Sequence, residues 1–454
     1  MKRRTRWMTP TLGRWGLIPM IAVAILALPT MPADATPVDT EVVTITFVSD
    51  QGARLEFDGR RYVGPLVVTR HRDGLAVTER ASIEQYLEGV AEMPFSWREQ
   101  ALAAQAVAAR TYLTRRLLGG RQGDAATYGY DICATNRCQV YRGVQLVEGE
   151  AGDRWKSAVE STADEIMLYA GRPIEAVFTS MVGSRSRANQ DVWSSDPVPY
   201  LQPVDSPELG IAPYAEWEFE ITAAQFVEIL RADGLDVGGA LIEVSVSDPP
   251  EGQGRTEITV VTEGGTDAIL APAMKGSFNR HGDELYPGAL PARSSDGSML
   301  PEPLLSYTYE LDHIVVPERA VDALLPYDDR ADRDVIRIAG EGWGHGVGMS
   351  QWGAQIMAGT GSTYSDILTH YYTGATLESD ATLVPDTVVV GLSWGLPSVE
   401  VVVSGTAVLQ VNGVPYASIS DGTYLLRTVP GGIIVIPAGD RPLANPIDTH
   451  PWPR

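Results

Sequence analysis

Glu341-Gly-Trp-Gly-His-Gly-Val-Gly-Met-Ser-Gln-Trp-Gly353 places a glycine at every second position from 342 to 348, around a single histidine. So much glycine removes side-chain packing and adds backbone entropy cost, so the stretch reads as a shaped loop rather than as helix or strand. His345 then stands where backbone can approach a ligand closely. On the glycine pattern alone, a tight turn and a binding loop both remain open.

Two further stretches combine apolar packing residues with isolated polar ones. The first is Tyr86-Leu-Glu-Gly-Val-Ala-Glu92-Met-Pro-Phe-Ser-Trp97, followed by Ala101-Leu-Ala-Ala-Gln105-Ala-Val-Ala-Ala-Arg110-Thr-Tyr112. The second is Val177-Phe-Thr-Ser180-Met-Val-Gly183, with Asp191-Val-Trp193 and Pro199-Tyr-Leu201 after it. Together with Gly342 to Ala354, these strings resemble, in order, the signatures of the SpoIID/LytB family (stage II sporulation protein D and amidase enhancer), whose members act on bacterial peptidoglycan. The resemblance runs over residues 42 to 376. It departs from the family at Gly183-Ser184-Arg185-Ser186, at Gln100 and at Ala103, which bears on substrate details and leaves Glu92 untouched.

Local patterns give the elements. Residues 42 to 80 alternate apolar and polar side chains with Asp58-Gly59 and Asp73-Gly74 as turns, predicting a small antiparallel sheet. Ser82-Ile-Glu-Gln85 has the form of a capping box opening a short helix, and Pro94 pushes Met93 out of helical geometry, leaving Glu92 at the helix end or in the next turn. Leu102, Ala106, Ala109, Leu113 and Leu117 draw an apolar stripe along a second helix. Gln105 and Arg110 lie beside that stripe, where an internal network or a sugar cleft could satisfy them. Residues 215 to 340 predict a helix at 223–232 and strands at 242–246 and 256–261. Beyond Thr376, short Val- and Ile-rich strands with turns at Asn412-Gly413, Asp421-Gly422 and Gly431-Gly432 predict a β-rich module, either a structural cap or a glycan-binding sheet. The expected architecture is α+β, small antiparallel sheets and helices in one large domain over residues 36–380, with a C-terminal β-rich module over 381–454.

The N-terminus carries Lys2, Arg3, Arg4, Arg6 and Arg14, an apolar run from Leu17 to Leu28, and Ala33-Asp34-Ala35. This is the plan of a secretory signal peptide ending at residue 35, too short in its apolar part for a comfortable membrane span. The expected location is therefore secreted, at the extracellular cell wall. A formal net charge of −23 excludes nucleic acid as a partner, because that affinity rests on basic side chains displacing counterions. The two cysteines, Cys133 and Cys138, stand five apart. The resemblance implies that this neighbourhood can hold zinc, but the histidine is missing, and two thiolates are half of a tetrahedral shell. In an oxidising exterior a local disulfide is the simpler outcome, so no cofactor is expected.

Cleavage of a glycosidic bond needs a proton delivered to the leaving oxygen, which a carboxyl provides at neutral pH only if its surroundings raise its pKa. Met93, Pro94, Phe95 and Trp97 offer Glu92 an apolar wall. The resemblance implies that Glu92 is the catalytic acid and base of a lytic transglycosylase, which cleaves the MurNAc-GlcNAc bond and closes the C6 hydroxyl of N-acetylmuramic acid on C1 to leave a 1,6-anhydro end. Gln105, Arg110, Ser180, His345, Ser350 and Gln351 are the candidate substrate contacts. Peptidoglycan glycan strands are the expected partner. The alternative is a non-catalytic, glycan-binding enhancer of a cell-wall N-acetylmuramoyl-L-alanine amidase, and a water-using muramidase is a further one.

Overall fold

The computed structural model describes residues 44–316 and 333–438, apart from positions 51, 194, 248, 250–253, 295, 296 and 431. The expected signal peptide lies outside the described residues. The chain is α+β and divides into two compact units, whose described parts comprise residues 44–59, 65–77 and 393–438, and residues 60–64 and 78–392.

The smaller unit is built from antiparallel strands. Val414–Ile419, Ala407–Val411, Thr44–Ser49 and Leu66–His71 lie side by side in that order. Gly432–Ala438, Gly422–Val429, Ser398–Ser404 and Arg54–Phe57 form a second ladder. Registers such as Phe47 opposite Leu409 and Leu55 opposite Val403 place alternate apolar residues in one core, as a period of two requires. The rings of Phe47 and Tyr424 approach to 6.1 Å between centroids. Strands expected as an N-terminal sheet of the large domain thus pair with strands expected as a separate module beyond residue 380. Pairing over some 360 positions leaves no mark in either local pattern.

In the larger unit the helix Glu99–Gly119 is central, packed by the helices Glu150–Ser161, Gln351–Gly359 and Tyr364–Tyr371 and by the strand Glu165–Tyr169. The expected stripe understates its burial. Residues 101 to 111 are all buried, because alanine lets neighbours approach from every side. A second core within this unit gathers Trp217, Phe226, Ile229, Phe278, Ile336 and Ile338. It includes the expected helix Ala223–Ala232, the strands Leu241–Ser247 and Glu257–Thr262, and a helix absent from the sequence reading, Ala271–Leu285. Gly276 and Gly282 weaken that helix's local signal, yet a Cβ at Gly282 would meet Leu290 Cδ1 at 3.1 Å, so close packing accounts for the glycine. Among the described residues no helix is long and apolar enough to cross a membrane.

Candidate active site

Glu92 is positioned by a short helix and a returning strand segment. Ser82 accepts from Gln85 N at 3.2 Å and Gln85 Oε1 accepts from Ser82 N at 3.1 Å, the expected capping box, and the helix runs Ile83–Glu88. Gly89 ends it, and a Cβ there would lie 2.3 Å from Tyr141 Cε2. Ala91 N then donates to Val140 O at 2.8 Å, and Val140 N donates to Glu92 Oε1 at 2.6 Å. Glu92 therefore projects from a turn after the helix into a cavity of about 370 Å³, lined also by Tyr112, Asn136, Arg137, Cys138, Glu175, Val177, Phe178, Trp193, Tyr307 and His345.

The apolar wall comes from residues distant in sequence, not from those following Glu92. Phe95 stacks on Trp155 at 5.6 Å and Trp97 meets Trp352 edge-on at 4.9 Å, while Tyr112, Phe178 and Trp193 face the cavity. Burial pushes the Glu92 carboxyl up to about 7, with the Val140 N–H and the field of Arg142 holding it back in part. A carboxyl surrounded this way is protonated in a substantial fraction of molecules at neutral pH. Glu175 supplies a second, exposed carboxylate to the same cavity.

The glycine loop is required by its packing. Gly342, Gly344, Gly346 and Gly348 all have positive φ, from 74° to 116°. A Cβ at Gly344 would meet Thr179 Oγ1 at 2.1 Å, and one at Gly348 would meet Val177 O at the same distance. Met181 and Trp343 exchange two backbone hydrogen bonds of 3.0 Å, locking the loop against the 177–181 segment. His345 is thereby turned into the cavity, 5.0 Å from the Trp193 ring. Its Nδ1 accepts from Val347 N at 3.0 Å, and burial lowers its pKa to about 4, opposed by a hydrogen bond with the Phe178 backbone. The imidazole is neutral at physiological pH, so it can contact a sugar hydroxyl but carries no charge there.

Of the expected site residues, the structure brings Glu92 and His345 to the cavity. Arg110 is instead fully buried, bonded to Glu84 at 2.9 and 3.1 Å, to Thr162 O at 2.7 Å and to Val159 O at 3.1 Å. Gln105 is buried and accepts from Gln351 Nε2 at 3.3 Å. Ser350 caps the helix Gln351–Gly359 through Gly353 N at 3.1 Å, and the Ser180 carbonyl accepts from Trp352 N at 3.1 Å. Arg110 and Ser350 are polar groups enclosed in the packing and taken up in internal hydrogen bonds, whereas Gln105 Nε2 is buried without a partner among the described residues. The sequence reading passed over Tyr112, Arg137, Glu175 and Tyr307. Tyr112 stands inside a quoted motif, two residues from Arg110, but nothing local marks the other three. It also passed over Glu208, a fully buried carboxyl that accepts from Val182 N at 2.9 Å, Gly183 N at 3.1 Å and Ser206 Oγ at 2.7 Å.

Cys133 and Cys138 form a disulfide with Cα atoms 5.6 Å apart, closing the loop that carries Asn136 and Arg137. Among the described residues no group of three or more His, Cys, Asp or Glu could hold a metal ion.

Residues 71–169, which include Glu92, Tyr112 and the disulfide loop, match the family model described as Stage II sporulation protein. The chain is similar to stage II sporulation protein D of Bacillus subtilis (strain 168), at 29% identity over 329 residues, covering 70% of this chain and 81% of that one. It is 28% identical to stage II sporulation protein D of Bacillus amyloliquefaciens over 334 residues, covering 70% and 81%. Similarity to the amidase enhancer of Bacillus subtilis (strain 168) is 27% over 361 residues, covering 72% of this chain and 45% of the relative.

Proposed function

Because the chain belongs to the SpoIID/LytB family, which supports a role at the cell wall, we propose that it is an exported lytic transglycosylase acting on peptidoglycan glycan strands, with Glu92 as acid and base. The observation that carries this reading is a carboxyl held at about 7 on the wall of an aromatic-lined cavity. Glu92 donates its proton to the glycosidic oxygen between MurNAc and GlcNAc, and that C–O bond breaks to leave positive charge shared between C1 and the ring oxygen. The resulting carboxylate, stabilised by the Val140 N–H, takes the proton of the C6 hydroxyl as O6 closes on C1. The product is a 1,6-anhydro-MurNAc end, with Glu92 restored and no water consumed.

Glu175 favours a second reading. Glycosidases that use water employ two carboxyls, and a second one in the cavity could activate water to leave a reducing end instead. The binding-module reading, in which the protein stimulates a cell-wall amidase, predicts unchanged strands. Mass spectrometry of purified glycan strands after incubation separates the three. Anhydro ends support the proposal, reducing ends replace it with hydrolysis, and strands of unchanged length leave only binding.

A further inference from the structure

We propose that Arg137 is a specificity-determining residue that binds a carboxylate of the substrate, an inference that rests on the glycan-cleaving reading above. Acidic residues outnumber basic ones 58 to 35 in this chain, and several of its arginines are held by a carboxylate. Arg110 pairs with Glu84, Arg121 with Asp131 and Arg280 with Asp233. Arg137 is exposed on the cavity wall and makes no hydrogen bond or ion pair among the described residues. It adds a cation to a cavity whose other formal charges are the carboxyls Glu92 and Glu175.

The arginine is presented on a fixed loop. Cys133 and Cys138 close the loop covalently, Cys138 N donates to Thr135 O at 2.9 Å, and Tyr141 N donates to Ala134 O at 3.1 Å. Gln139, next in sequence, is buried, accepting from Tyr86 Oη at 2.8 Å and donating to Ala109 O at 3.2 Å. Val140 follows and bonds Glu92. The guanidinium thus belongs to the segment that touches the catalytic carboxyl, and a planar fork of N–H donors matches a carboxylate. Two sources in peptidoglycan offer one: the lactyl group of N-acetylmuramic acid where no peptide is attached, and the carboxylates of the stem peptide where it is.

The test uses the full chain carrying Glu92→Gln, so that ligands are bound without turnover, with and without Arg137→Gln or Arg137→Lys. Calorimetry measures affinity for peptide-free glycan strands, for strands with intact stem peptides, and for chitin oligomers of matching length, which have no carboxylate. Arg137→Gln should weaken binding of a carboxylate-bearing strand about tenfold, the size of a lost charge-assisted hydrogen bond, and leave chitin affinity unchanged. Arg137→Lys should recover part of the loss, and the arginine-dependent share should shrink with added salt. Loss confined to peptide-free strands identifies the lactyl group, and loss confined to peptide-bearing strands identifies the stem peptide. An equal loss on chitin, or none on any strand, overturns the inference. If Arg137→Gln has no effect while the wild type makes anhydro ends, this inference alone fails. If no variant binds any glycan, the functional reading fails with it.

Discussion

Glu92 and Glu208 are carboxyls of the same unit that burial pushes upward, in regions built for different ends. Around Glu208 every approach is a donor: the amides of Val182 and Gly183 and the hydroxyls of Ser206 and Ser350 converge on it, and Ser206 in turn meets Tyr371 Oη at 2.7 Å. Glu79 repeats the pattern, with Gly64 N at 3.0 Å and Tyr141 Oη at 2.6 Å. Around Glu92 one amide approaches, and the remaining face opens on a cavity. Desolvation is common to all three. What separates them is whether the protein has filled the acceptor positions or left them open to a cavity, and a perturbed acid in a cleft is the arrangement that the proposed catalysis requires.

The largest effect should come from removing the proton at the open site. Glu92→Gln keeps size and the Val140 hydrogen bond but cannot shuttle a proton, so cleavage should fall by on the order of 10² to 10⁴ or more, with the fold and glycan binding intact. Near wild-type release of the same fragments by this variant would remove Glu92 from the mechanism. At the filled site the effect should appear in stability. Glu208→Ala leaves two backbone amides and two hydroxyls without their acceptor and should cost roughly 2–4 kcal/mol in chemical denaturation. A variant as stable as wild type would erase the distinction between the two regions.

His345→Ala should be milder, lowering turnover roughly tenfold, since the lost side chain contributes a neutral contact rather than a charge. Complete loss of activity in a folded variant would make His345 essential to proton transfer. The smallest effect should be on stability. The Glu92 carboxyl has a higher pKa folded, about 7, than the 4.5 of an ordinary glutamate. The folded state therefore binds more protons between those values, and the wild type loses stability as pH rises from 4.5 to 7. Glu92→Gln should be the more stable protein at pH 8, by roughly 1–3 kcal/mol, with the advantage vanishing near pH 4. A constant difference between the two across that range would show that the carboxyl is not desolvated.

Much of this comparison was legible in the sequence on one side only. The capping box at Ser82, the turn after the helix and Pro94 placed Glu92 correctly, and alternating glycines marked a loop whose four positive φ values need them. Those features are local. Glu208 is surrounded by residues from three separated segments, and the cavity wall joins positions from 112 to 345, so neither leaves a periodic trace. For the same reason the sequence left Arg110 open between an internal network and a sugar cleft, which its partners at 84, 159 and 162 decide, and gave no sign of the pairing of Ile45 with Val411, which joins distant segments in one sheet.

The proposed catalysis requires that the cavity around Glu92 hold its carboxyl protonated close to neutrality. A carbon-detected NMR titration of the side-chain carboxyls, with Glu92 assigned by its absence in Glu92→Gln, reads this without requiring activity. The midpoint expected for Glu92 is near 7. A midpoint near the ordinary 4.5 would contradict it, because a carboxyl ionised throughout the physiological range has no proton to give to a leaving glycan oxygen.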